Sequence, residues 1–134
     1  MPLTPFHIAA GILPKAVAPR YFDLWTFTAV QVALDLEPTY RIFTHVAPVH
    51  GPLHSWPGAL AVGAVIAIAA WTFGRELLPA LVGAMVGAAS HVLLDAYSVQ
   101  HFWQSHWLTL GFALVGGVLL CAKNRGEGHE KHRP

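Results

Sequence analysis

The residues best suited to chemistry in this sequence are histidines and carboxylates that recur in short groups. His91 and Asp95 stand four apart inside an apolar stretch, which puts an imidazole and a carboxylate on one face of a helix. Ionisable groups in such surroundings are costly and mark a functional site. Together they suit zinc, manganese or iron, the competing reading being a His–Asp hydrogen bond between helices. His50-Gly51-Pro52-Leu53-His54-Ser55 sets two more imidazoles on a Gly-Pro turn. Pro52 there suits a first helical turn, and Ser55 suits a helix cap or the orientation of a ligand. Asp35-Leu36-Glu37-Pro38 supplies two carboxylates, and the restriction that proline places on its neighbour predicts a helix end near Pro38. At a frayed end both acids can reach a cation, or one can ligate while the other acts as general base. His7 follows Thr4-Pro5, a cap and first-turn proline signature.

The elements that must position these groups follow from composition. Of 134 residues, 54% are hydrophobic and 11% are charged. A soluble domain carries roughly 25% charge and exposes much of its surface at this size. The expected class is therefore an integral membrane protein, with ordinary soluble enzymes and disordered chains excluded as defaults. A net charge of +1 without a basic stripe excludes nucleic acid as a partner. The single cysteine, Cys121, excludes an intramolecular disulfide framework and a multi-cysteine zinc site.

Trp56 to Gly74 is a run of nineteen uncharged residues, roughly 28 Å long as a helix against a hydrocarbon core of about 30 Å. Further runs extend from Tyr21 to Leu36, Leu77 to Tyr97 and Phe102 to Ala122. Thr4 to Pro14 is too short to cross upright. Alternating strands are absent, which excludes a barrel. The expected fold is all-α, a small polytopic transmembrane helix bundle of about four spans plus a short N-terminal helix. Residues 1–122 form a single membrane-embedded domain and 123–134 a polar, disordered tail. No cleavable signal peptide is evident. Gly83 and Gly87 form a GxxxG pair suited to close helix contact, within one chain or in a homo-oligomer. Trp25, Trp56, Trp103 and Trp107 lie near span ends, as interfacial belts do.

With alternating spans, Lys15, Arg20, Arg75 and the basic residues of the tail share one side, with Arg41 opposite. The positive-inside rule makes the crowded side, with the C-terminus, cytoplasmic. His7, Asp35, Glu37, His50, His54, His91 and Asp95 then gather at the extracytoplasmic end. His129 and His132 belong to the tail, and His45, His101 and His106 carry no assigned role.

The order of these groups resembles a known family. Thr4 to Gly11, Asp35 to Pro38, His50 to Ser55 and Ser90 to Asp95 are similar in type and sequence to the motifs of the predicted membrane-bound metal-dependent hydrolases, the YdjM-like inner-membrane proteins of bacteria and archaea. In motif order that family is similar to zinc-dependent phospholipase C and the zinc nucleases. This chain departs from it in the second acid, Glu37, and in the closer spacing of His50 and His54. The resemblance implies a divalent metal, Zn2+ foremost, in one to about three ions, held by His7, Asp35, His50, His54, His91 and Asp95. It also implies Glu37 or Asp35 as general base, and hydrolysis of an ester or phosphoester of a lipid-like or phosphorylated substrate at the surface of the cytoplasmic membrane. The alternative is a metal-binding membrane protein without hydrolysis, serving transport, sensing or as a scaffold. A bundle whose His and Asp residues only join helices is the third reading.

Overall fold

Asp23 opens the first long helix. Its Oδ1 accepts the backbone N–H of Trp25 at 2.8 Å, satisfying one of the donors that a helix start leaves over. The computed structural model describes residues 4–100 and 102–130, with side chains for 7–97, 104 and 107–123. Its helices are α1 Thr4–Ala10, α2 Ile12–Val17, α3 Leu24–Phe43, α4 Trp56–Thr72, α5 Leu77–Gln100 and α6 Phe102–Glu130, with a 3-10 turn at Pro52–His54 before α4. No strand occurs among the described residues. His101 and the side chain of His106 lie outside them, as does the side chain of Thr4.

α3 is the spine. Thr26, Phe27, Val30, Gln31, Leu34 and Pro38 are buried at spacings of three and four, the stripe of an amphipathic helix. α3 and α4 both pack on α5, and α6 covers α1 and α2. Small residues make this possible. Ala59, Gly63 and Ala67 of α4 are buried, as are Ala80, Ala84 and Ala88 of α5. Gly83 and Gly87 turn the other way, onto α3. A Cβ on Gly83 would overlap the Asp23 carbonyl, and one on Gly87 would stand 3.1 Å from the Phe27 carbonyl. The GxxxG surface is thus occupied within the chain.

The expectation of about four membrane spans is overturned. Among the described residues one helix segment, Leu77–Tyr97, is long and apolar enough to cross a membrane. α4 ends at Thr72, where Gly74 takes φ +88° and the Arg75 N–H returns to the Ala70 carbonyl at 3.0 Å, a left-handed helix stop. Among the described side chains of α6, Trp107–Lys123 is a shorter apolar stretch. Any membrane-length stretch of α3 includes Asp35, Glu37 and Arg41. The N-terminal segment is two helices rather than one, parted at Gly11, where a Cβ would meet the Phe27 ring at 2.7 Å.

The expected helix end near Pro38 is also corrected: α3 continues through it to Phe43. Proline removes one backbone donor. The buried Pro38 ring packs in place, and Thr39 Oγ1 donates to the Asp35 carbonyl at 2.6 Å. Asp35 and Glu37 therefore sit on regular helix and face different partners.

Replacing Gly83 by valine drives a side chain into the start of α3. Overpacking of this kind costs about 1–3 kcal/mol, and the thermal midpoint of the purified full chain is expected to fall. Gly111→Ala, where a Cβ meets nothing within 4 Å, is expected to leave the midpoint unchanged or raised.

Candidate metal centre

Four segments converge near the C-terminal part of α5. α1 brings His7, α3 brings Asp35 and Glu37, the Pro52–His54 turn and the residues before it bring His50 and His54, and α5 brings His91 and Asp95. The α5 pair lies one turn apart on the face turned inward, and both residues are buried. His7 is buried as well. His50 is the most open member, its side chain 39% exposed, followed by Asp35 at 19%. The cluster is thus closed around His7 and His91 and open at His50 and Asp35.

Asp95 lies at the middle. Its Oδ1 is 3.6 Å from His7 Nε2, and its Oδ2 is 3.5 Å from both His50 Nε2 and His54 Nε2. His91 Nε2 stands 3.6 Å from Asp95 Oδ2, 3.5 Å from Asp35 Oδ1 and 3.2 Å from His54 Nε2. Most of these separations are too long for good hydrogen bonds. They match the edges of a coordination polyhedron: nitrogen and oxygen ligands about 2.0–2.2 Å from zinc stand about 3.3–3.6 Å apart when tetrahedral. The buried Nε2 of His50 makes no hydrogen bond, nor does Nδ1 of His54. Two ligand sets, His7 with Asp35 and His91, and His50 with His54 and Asp95, can each hold a metal ion. The rings are close too, with centroids 4.5 Å apart for His7 and His91 and 5.1 Å for His54 and His91.

The turn that carries two of the ligands is built for its place. Ser55 caps α4, its Oγ accepting the Gly58 N–H at 3.2 Å and donating to the Pro52 carbonyl at 2.6 Å. Glu37 reaches across from α3. Its Oε2 accepts the Leu53 N–H at 3.0 Å and lies 3.5 Å from His54 Nδ1, while Arg41 Nε donates to its Oε1 at 3.4 Å. Arg41 Nη1 also donates to the Pro48 carbonyl at 3.2 Å, tying down the loop before His50. A Cβ on Gly51 would overlap the Glu37 carboxylate and crowd the Arg41 guanidinium, so those two side chains would have to move.

Every histidine and carboxylate expected at the site is brought to this cluster. His45, by contrast, is exposed in the loop. Sequence reasoning passed over Gln31, fully buried on α3, whose Oε1 lies 2.6 Å from His91 Nδ1. The available signal was a polar residue one helical turn before Asp35 on an otherwise apolar stripe. Arg41 is engaged with Glu37 and the loop, so its place is structural support of the turn.

No protein-family profile, curated protein or solved structure matches the chain.

Gly51→Ala is expected to displace Glu37 and the His54 turn while leaving the helices folded. Binding of Zn2+ by the full chain, read by competition with a chromophoric chelator, should weaken by about 10–100-fold, the usual cost of disturbing an outer-shell partner.

Proposed function

We propose that the chain is a metal-dependent hydrolase acting on an ester or phosphoester of a lipid-like or phosphorylated substrate. The observation that carries the reading is the convergence of four imidazoles and two carboxylates, at metal-ligand spacings, in a cluster with one open side. The donor set is nitrogen and oxygen only, which suits zinc. Asp95 directs Oδ1 at His7 and Oδ2 at three other histidines, so it stands between the two ligand sets and would be among the residues that hold a metal. A bound divalent ion would supply an acidified water and a polarising charge. His7 and His91 close the inner side against solvent, and His50 and Asp35 flank the approach. Asp35 is the acid placed to take a proton at the open side. Glu37 is held by Leu53 and Arg41, which favours a part in fixing the turn over one as general base. The motif order described above supports the same assignment.

The surface supports an apolar surround. Val65 and Ile68 on α4 and Leu114 and Val118 on α6 are all more than half exposed, as is Phe73, apolar surface of the kind that marks a membrane or partner contact. A lipid bilayer is the proposed partner for this surface, with Leu77–Tyr97 as the helix long enough to enter it. Lys15, Arg20 and Arg75 line a cavity of about 610 Å³ at the start of α5. From Pro79, which also lines it, to Asp95 is roughly 24 Å along that helix. The charge distribution would leave the basic end at the cytoplasmic face and the cluster at the other.

Elemental analysis of the purified chain is expected to find bound transition metal, lost in Asp95→Ala and reduced in His54→Ala. Metal-loaded protein should hydrolyse a phosphodiester such as bis(p-nitrophenyl) phosphate or phospholipid vesicles, with at least about a 100-fold loss in either variant. Metal without turnover would favour sensing or scaffolding, and absence of metal in the wild type would remove both readings. Membrane attachment is checked separately: the chain should stay with membranes after an alkaline carbonate wash.

A further inference from the structure

We propose that Gln31 is a positioning residue that fixes the tautomer of His91, so that His91 presents the Nε2 lone pair to the cluster. The proposal rests on the metal-centre reading above for its purpose, though not for its geometry.

Gln31 is fully buried, and its amide is held in one orientation. Its Nε2 donates to the Gly87 carbonyl at 3.3 Å and to Ser90 Oγ at 3.1 Å. A carbonyl can only accept, so the nitrogen end must face Gly87. Ser90 agrees, because its hydroxyl proton is already directed to the same carbonyl at 3.1 Å, leaving a lone pair for Gln31. With the nitrogen so placed, Oε1 faces His91 Nδ1 at 2.6 Å. An amide oxygen cannot donate, so Nδ1 carries the proton. A neutral imidazole has one N–H, and Nε2 is then left as an acceptor.

That Nε2 faces His54 Nε2 at 3.2 Å, with two carboxylate oxygens beyond it. Asp35 Oδ1 stands 3.5 Å away and Asp95 Oδ2 3.6 Å away. Without a cation this lone pair can accept an N–H from His54, and with a cation among these groups it can ligate. The tautomer that Gln31 imposes is therefore wrong for a His–Asp hydrogen bond and right for a ligand. The backbone carbonyl of Gly87, one turn before His91 on α5, orients the amide, and the amide orients the ring. The chain of contacts runs α5 to α3 and back to α5, so the ring direction follows from how those two helices are packed.

The test uses the full chain, 15N-labelled and stripped of metal with a chelator at mildly alkaline pH. His91 is expected to show a protonated, pyrrole-type Nδ1 and an unprotonated Nε2. A proton on Nε2, or on both nitrogens, overturns the proposal. Zn2+ affinity is then measured in two variants. Gln31→Leu removes the acceptor and should weaken binding about 10–100-fold. Gln31→Glu keeps an oxygen on Nδ1 while losing the N–H that the Gly87 carbonyl accepts, and should hold affinity within a few-fold of wild type even where its thermal midpoint falls. Equal loss of affinity in both variants, or none in Gln31→Leu, also overturns it. If Gln31→Leu does not fold, the wild-type 15N spectrum still decides. A wild type that takes up no metal fails the hydrolase reading by a different measurement, since the tautomer is read without metal.

Discussion

A single buried carboxylate sets the terms for the rest of the molecule. Asp95 is turned into the bundle from α5, where a lone charge would be expensive. Nitrogens from two other parts of the chain, His7 on α1 and His50 and His54 at the turn before α4, and from its own helix, His91, stand within 3.6 Å of its oxygens. Each of those imidazoles needs its own support. His91 takes it from Gln31, and His54 lies against Glu37. The path of α1, the phase of α3 and the shape of the turn before α4 all answer to that gathering of polar groups in an apolar frame.

Close approach of the helices makes the gathering possible. Gly83 lets α5 touch the first turn of α3, and Gly63 lets α4 touch the Ala84 backbone. Bulkier residues would hold the axes apart, and the polar groups could not meet at these distances. The same contact is braced at its far end, where Arg75 donates to both oxygens of Asp23 and the Asp23 N–H reaches the Pro79 carbonyl at 3.1 Å. Asp23 thereby caps α3 and ties it to the start of α5. The phase of α3 against α5 is set by these contacts, and with it the meeting of Gln31 and Asp35 with His91.

Pro38 shows where local rules stop. A proline with two acids before it reads as a helix end, and an end would have left Asp35 and Glu37 loose. Tertiary packing of the ring keeps the helix intact to Phe43, so the two acids project in different directions. One goes to His91 and the other to the His54 turn. Two carboxylates that are neighbours in the sequence thus acquire separate duties.

Much was legible before any coordinates. The all-helical class follows from continuous small-residue apolar runs; His91, Asp95 and Asp35 are recognisable because such side chains are rare and costly in those runs, and His7, His50 and His54 because they fall at the same end of the expected bundle. Ser55 as a cap and Pro52 in a first turn are local facts, set by backbone donors within a few residues. Helix lengths were not legible to the same degree. Hydropathy alone does not register that α4 stops at Thr72 in a left-handed turn, nor that α1 and α2 part where Phe27 crowds Gly11. Gln31 and Gly51 could not be singled out either, because their importance lies in partners 60 and 14 positions away along the chain. The sequence by itself determined which side chains can serve as ligands and that helices carry them, since both depend on residue type and short-range periodicity. Only the tertiary structure decided which nitrogen meets which oxygen and which amide orients the ring, since those are distances between helices.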